Sequence, residues 1–126
     1  MFEGRKRLEF TVADGAHIYV PVYDSTIRVT HGDDVRYGGG VGGISIAFHK
    51  AVKSWDTIRR SDLTLIGHFH QLKDFGFGCV NGSVCGYGPY ALSIKAEWEP
   101  PRQMFLLWDE RYGKTMFAPI LTRSKP

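Results

Sequence analysis

Cysteine is scarce in this chain of 126 residues, and no long apolar run is present. The two cysteines, Cys79 and Cys85, form neither a Cys-x-x-Cys motif nor a disulfide framework, so we expect both to be reduced thiols. No stretch approaches the roughly 18 apolar residues that a membrane-spanning helix needs. The first residues are charged and do not resemble a secretory signal. These absences predict a cytoplasmic protein with no membrane partner.

Dense runs of one charge, internal repeats and low-complexity segments are also absent. The net charge is +3, and the basic residues are scattered rather than interleaved with aromatic residues on one element. A small basic nucleic-acid-binding protein is therefore the weakest of the functions that we consider. The hydrophobic content of 43% and the charged content of 23% are typical of globular proteins, and the length predicts a single domain over residues 1–126.

Glycine is abundant, but the nucleotide-binding motifs that depend on it are missing. Gly38, Gly40 and Gly43 have the spacing G-x-G-x-x-G, yet they do not follow a predicted strand directly, as a dinucleotide-binding loop requires. No Gly-Lys-Ser or Gly-Lys-Thr is present for a phosphate-binding P-loop. We interpret these glycines as a loop that leads into a helix.

Two predicted strands each run into a histidine motif. Residues 26–30 precede His31-Gly32-Asp33, and residues 63–66 precede Gly67-His68-Phe69-His70. Glycine lets the backbone turn sharply at the end of a buried strand, and neutral imidazole is the commonest metal-ligating side chain. The alternative is that one histidine faces solvent while another binds a loop carbonyl.

A helix is predicted between these strands, over residues 44–60. Its apolar residues recur at a spacing close to 3.6, at Ile44, Phe48, Ala51, Trp55 and Ile58. A strand–helix–strand order predicts parallel neighbouring strands in an α/β fold, whose carboxyl ends meet at one edge of the sheet. We therefore expect His31 to lie near His68 and His70, whereas His17 and His49 are expected to face solvent.

The remaining predicted elements are strands at both ends of the chain. Residues 8–22 predict a hairpin that turns at Asp14-Gly15, and residues 75–80 predict a strand whose glycines lie against the site. Residues 91–98 are compatible with either a strand or a short helix. Residues 103–108 and 115–121 predict a second hairpin that extends the sheet.

The two histidine motifs resemble those of the calcineurin-like metallophosphoesterases. That family has a strand ending in His-Gly-His or His-Gly-Asp, then a helix, then a strand ending in Gly-His-x-His. Here His31-Gly32-Asp33 and Gly67-His68-Phe69-His70 occur in that order, and Val80-Asn81-Gly82-Ser83 is similar to the family's Asn-x-Gly-Ser segment. The resemblance covers residues 25–95. It implies an α/β fold like the C-terminal half of an αββα sandwich, with a mixed sheet and one main helix.

The family's early motifs have no match in this sequence. Asp14-Gly15-Ala16-His17 has one residue too many for Asp-x-His, Arg36 stands where Gly-Asp-x-x-Asp requires Asp, and no Asn-His pair exists. The resemblance therefore implies His31, His68 and His70 as metal ligands and Asp33 as a group that orients a histidine N–H, without the bridging carboxylate. Manganese, nickel, zinc, cobalt and iron are all candidate metals.

Two functions follow from this resemblance. The chain is either a phosphoesterase fragment or subunit that needs its missing half, or a non-catalytic metal-binding or interaction protein of the same fold. In the first case a phosphoester is the substrate, although the isolated chain is expected to show little activity. Because half of a sandwich leaves a sheet edge or face uncovered, we also expect a homo-oligomer or a partner that supplies the missing N-terminal half.

Overall fold

A computed structural model describes residues 9–39 and 41–122. Leu8 of the predicted first hairpin and Gly40 of the glycine loop lie outside the described residues. No helix in the described ranges is long and apolar enough to cross a membrane. The elements, in chain order, are β1 (His17–Val22), β2 (Ser25–Thr30), α1 (Ile44–Asp56), β3 (Leu63–Ile66), β4 (Lys73–Asp74), β5 (Gly78–Val80), α2 (Pro89–Ser93), β6 (Arg102–Asp109) and β7 (Gly113–Leu121).

The main sheet is mixed, with the strand order β1-β2-β3-β5-β4. β2, β3 and β5 are parallel, whereas β1 and β4 pair antiparallel at the two edges. Thr30 is the register partner of Ile66, so the two strands that precede the histidine motifs end at the same level. The predicted parallel pairing is confirmed. Pro21 lies in the edge strand β1, where a residue without an N–H is tolerated.

The predicted hairpin that turns at Asp14-Gly15 is wrong. β1 instead pairs with β2 through a turn at Tyr23 and Asp24, and residues 9–16 form no strand. The physical reason is burial: β2 carries core residues that hold its neighbour in place, whereas Phe10 and Val12 are exposed. Pairing with the partly buried strand β2 therefore outweighed the local turn that Asp14-Gly15 favours.

Helix α1 packs across one face of the sheet. Ile44, Phe48 and Val52 are buried against Ile66 and Val80. The helix ends at Asp56, earlier than the predicted residue 60, and Ile58 is exposed. At this end the carbonyl of Arg59 accepts a hydrogen bond from the buried Arg28 side chain. The apolar stripe therefore stops with the helix.

The β6–β7 hairpin covers the other face of the sheet. It forms a separate two-stranded sheet, so the prediction that these strands extend the main sheet is wrong. The edge strand β1 carries Pro21 and the edge strand β4 has only two residues, so neither edge favours a further strand. On the face, the inward side chains of the hairpin are partly buried. The inward residues Met104, Leu106, Trp108 and Phe117 pack on a cluster formed by Ile27, Leu63 and Cys79.

Two further predictions are settled by local packing. Residues 91–98, which are compatible with either a strand or a short helix, begin with the last residues of the short helix α2, whose first turn contains proline. Gly78 does not lie against the histidines. A Cβ atom there would meet the Phe48 ring at 2.6 Å, so Gly78 makes room for the helix.

Arg28 is fully buried in the centre of β2 and joins the sheet to the end of α1. Its guanidinium donates to Asp56 Oδ1 at 2.7 Å and to Thr64 Oγ1 at 3.2 Å. The ring centroids of Tyr19 and Trp55 lie 5.5 and 5.6 Å from the guanidinium carbon. A buried guanidinium is tolerated because these partners replace its water.

Replacing Asp56 by Ala should lower the free energy of unfolding by about 2 kcal/mol, because it leaves the buried Arg28 charge without its counter-ion. This value is below the range for fully buried pairs, since the Asp56 side chain is 31% exposed. Urea unfolding followed by circular dichroism measures the change. Lys53→Ala on the same helix serves as the control, and an equal loss in both variants would contradict the account.

Asp74 joins the edge strand β4 to the second sheet through Lys114, whose ammonium group donates to Asp74 Oδ1. Burial raises the pKa of Asp74, but hydrogen bonds from Lys114 and from the Gly76 N–H outweigh it, so the pKa lies below its ordinary value of 3.8. A lowered carboxylate pKa stabilises the fold above pH 4, and this contribution is lost as the pH falls through the folded-state pKa.

An Asp74→Asn variant should therefore be less sensitive to acid than the wild type. We expect the wild-type chain to lose about 1 kcal/mol or less through this pair between pH 6 and pH 3, as for other partly exposed ion pairs. Urea midpoints at both pH values measure the difference, and Asp24→Asn in the exposed turn is the matched control. An unchanged pH dependence in Asp74→Asn would contradict the assignment.

Candidate metal centre

The histidines lie where the two central parallel strands end. His31 follows β2 directly, and His68 and His70 follow β3. The N–H of Gly67 donates to the carbonyl of His31 at 2.9 Å, which ties the two strand ends together. Carboxyl ends of adjacent parallel strands are the usual location of ligand sites in α/β sheets.

His31 and His68 meet at this edge. Nε2 of His31 and Nδ1 of His68 are 3.1 Å apart, and the ring planes are inclined at 78°. Two imidazole nitrogens that share one metal ion at about 2.1 Å from it are separated by roughly 3.0–3.4 Å in octahedral or tetrahedral geometry. The separation in the structure fits a shared ion, and the predicted proximity of the two motifs is confirmed.

His70 is not brought into the same group. Its Nδ1 is buried and has no hydrogen-bond partner, and its ring contacts the Tyr90 ring at a centroid distance of 4.8 Å. Within residues 9–39 and 41–122, no set of three His, Cys, Asp or Glu side chains is arranged to hold a metal ion. The described site is therefore a histidine pair with a third imidazole nearby.

Both histidines after β3 have left-handed backbone conformations. The φ angle is 65° at His68 and 53° at His70, a region that residues with a Cβ atom rarely adopt. The expected sharp turn at Gly67 is thus made by the histidines themselves, because Gly67 does not have a positive φ. Such strained residues persist where the surrounding structure holds them, and they cluster at functional sites.

Gly32 holds the first motif close to the second. Its φ angle is 100°, and a Cβ atom there would lie 3.1 Å from Cβ of Ile66. Both the backbone conformation and this close approach require glycine. Gly32 therefore lets His31 turn towards His68 at the end of the neighbouring strand.

The electrostatics favour a neutral His68. Burial and then the neighbouring His31 imidazole lower the pKa of His68, whereas the Asp33 carboxylate acts in the opposite direction. Neutral imidazole retains the lone pair that a metal ion needs. Asp33 is exposed, and in the structure it acts on His68 through its charge.

Tyr90 contributes to the site from the start of α2. Its hydroxyl lies 3.2 Å from Nδ1 of His68, the same atom that faces His31. From the sequence, Tyr90 is predicted to lie in a loop after the motifs, a position compatible both with flanking a ligand and with packing at the base of the loop. The contact joins residues 22 positions apart in the chain, so no local pattern reveals it.

A cleft of about 590 Å³ opens beside His68 and His70, on the side of the 81–90 loop. Asn81 fastens this loop to β6: its side chain donates to Gln103 Oε1 at 2.9 Å and accepts from the Met104 N–H at 2.8 Å. The Asn-Gly pair predicts a turn here, but not the bridge to β6. The wall of the cleft is therefore held by the second sheet.

Solved structures of Vps29 from Entamoeba histolytica are similar to this fold. A single mutant has 19% sequence identity and a TM-score of 0.54, and the match covers 88% of this chain and 64% of that chain. Wild-type Vps29 in complex with Zn²⁺ has 17% identity and a TM-score of 0.53, with 85% and 61% of the two chains covered. No protein-family model and no curated protein matches the sequence.

At these identities the likeness concerns the fold alone. The chain spans 64% and 61% of the length of these two neighbours. Alignment with a C-terminal half specifically stays a prediction. The chain has a mixed α/β fold of the metallophosphoesterase type, as the Vps29 structures do.

Proposed function

We propose that this protein binds one divalent transition-metal ion between His31 and His68 and serves as a non-catalytic metal-binding module of the metallophosphoesterase type. The observation that supports this proposal is the 3.1 Å separation of Nε2 of His31 and Nδ1 of His68. Two nitrogens at this distance on the ends of two core strands form a preorganised pair, which needs little rearrangement to bind an ion.

His70 is the proposed third ligand, and Asp33 the proposed group that orients a histidine N–H. The buried Nδ1 of His70 has no partner in the structure, and the His70 ring has to turn towards the pair before a nitrogen lone pair can reach the ion. Imidazole ligands suit zinc, nickel and cobalt as well as manganese and iron. Zinc is the first metal to test, because one of the similar Vps29 structures is a Zn²⁺ complex.

A bound metal ion would supply positive charge and a Lewis acid at the edge of the sheet. The residues of this chain would hold the ion, keep His68 neutral and place the Tyr90 hydroxyl beside it. A paired-metal phosphoesterase also needs carboxylates that bridge its two ions. Within the described residues, no carboxylate completes a group of three side chains with the two histidines, and Asp33 acts on His68 through its charge.

A second candidate function is a phosphoesterase fragment or subunit that another half completes. The length of the similar structures supports it, because this chain spans less than two thirds of either one. In that case the added half supplies the carboxylates, and a phosphoester is the substrate. Addition of a chain that carries the early motifs, followed by a phosphoesterase assay, separates this function from the first.

Isothermal titration calorimetry with zinc, nickel and manganese tests the proposal. We expect one ion per chain, and an affinity at least about 100-fold weaker in His31→Ala and in His68→Ala, because each change removes a direct ligand. His49→Ala is the matched control, since His49 is exposed on α1. Wild-type affinity in both ligand variants would overturn the proposal.

A further inference from the structure

We propose that a second copy of this chain docks on the outer face of the β6–β7 hairpin, which we define as Phe105, Leu107, Met116, Ala118 and Ile120. The inward neighbours of these residues pack against the main sheet, so alternation along the strands directs the outer face to solvent. Its four large side chains are between 42% and 50% exposed. The main helix lies on the far side of the main sheet, so within residues 9–39 and 41–122 it does not cover this face.

Strand addition at a sheet edge does not provide the contact. β7 carries Pro119, whose nitrogen has no hydrogen to donate at an edge, and the edge strand β1 carries Pro21. The edge strand β4 has only two residues. Proline and short length protect the edges at β1, β4 and β7, and at the free edge of β6 the Met104 N–H already donates to Asn81. We therefore expect association through side chains on a face.

The register of the hairpin makes the outer face complementary to itself. Phe105 pairs with Ala118, and Leu107 pairs with Met116. A two-fold axis that runs parallel to the strands, midway between them, places β6 of one copy over β7 of the other. Each Phe105 then lies over the Ala118 of the other copy, so that a large side chain fills the space over a small one. The outer face carries no charged residue, so the two copies do not repel each other there.

The area of the outer face fits a dimer of modest affinity. At half exposure, large apolar side chains present on the order of 100 Å² each, which gives roughly 400–500 Å² for each copy. Two copies together bury about 1,000 Å², which is at the lower limit for a specific interface. We therefore expect a dimer in the micromolar range, in equilibrium with the 14.2 kDa monomer.

Sedimentation velocity of the full chain tests the proposal, with a reductant present because Cys85 is exposed. Between about 1 and 300 µM protein, we expect the mass to rise towards twice the monomer value. Leu107→Lys should weaken dimerisation by at least about 30-fold, because it buries an unpaired charge in the contact. Ile58→Lys makes the same charge change at an exposed site beyond α1 and should leave dimerisation unchanged.

A swap within one register pair tests the proposed axis. Ala118→Phe alone should weaken dimerisation by about tenfold or more, because two phenylalanines then meet across the axis. Phe105→Ala combined with Ala118→Phe should restore it to within about threefold. Thermal unfolding verifies that every variant is folded. The proposal is overturned if the wild type is monomeric, if the two lysine variants have equal effects, or if the double variant dimerises no better than Ala118→Phe. A monomeric wild type would include the case in which an unrelated partner covers the face.

Discussion

A Gly78→Ala variant is expected to lose about 3 kcal/mol of unfolding free energy, a large share of the stability of a domain of this size. The added Cβ atom would meet Cζ of Phe48 at 2.6 Å and the backbone oxygen of Thr64 at 2.9 Å. Neither neighbour yields easily, because Phe48 is fully buried in the core and Thr64 lies in the central strand β3. The helix has to move away from the sheet.

Urea unfolding of wild type and variant measures this loss, and Gly15→Ala is the matched control. A Cβ atom at Gly15 has no neighbour within 4 Å, and its φ is not positive, so we expect no loss of unfolding free energy and at most a gain of about 1 kcal/mol. If Gly78→Ala proves as stable as Gly15→Ala, then α1 does not pack on β5 as described.

The isolated chain is expected to hydrolyse phosphoesters at least three orders of magnitude more slowly than an enzyme with a complete paired-metal site. Two bridged metal ions stabilise the charge on both the attacking and the leaving oxygen. Losing one of the two ions removes several kcal/mol of this stabilisation, and each 1.4 kcal/mol is about tenfold in rate. The described residues offer His31 and His68 for one ion and no bridging carboxylate for a second.

Assays with p-nitrophenyl phosphate and its bis-ester, in manganese, nickel and zinc, measure this activity. The wild-type chain is compared with a variant that combines His68→Ala and His70→Ala. We expect a similarly low rate in both. Fast turnover by the wild type that disappears in the variant would contradict the account, because it would require carboxylates from another part of this chain or from a neighbouring copy.

Local periodicity and strand order predicted the part of the fold that holds the histidines. The apolar stripe of α1 and the two strands on either side of it are defined by neighbouring residues, and a strand–helix–strand unit leaves few topologies. The meeting of His31 and His68 follows from that unit. The direction of the His70 side chain does not, because it depends on the left-handed backbone at His68 and His70.

The errors concern partners that lie far apart in the sequence. Asp14-Gly15 is a strong turn signal, yet β1 pairs with β2, the strand that follows it in the chain, through a turn at Tyr23. The alternation of β6 and β7 predicted a hairpin, but alternation cannot say whether a hairpin joins a sheet or covers its face. The burial of Arg28 could not be predicted from the residues around it, because it depends on the distant partners Asp56 and Thr64.

The most direct measurement of the central claim is an NMR spectrum of the histidine ring nitrogens during a zinc titration. The structure specifies which atoms face each other, Nε2 of His31 and Nδ1 of His68. We predict that these two resonances shift together and reach their limit at one equivalent of zinc, while those of His49 stay unchanged. If the resonances of His31 and His68 remain in place while zinc binds elsewhere or not at all, the proposed metal centre is wrong.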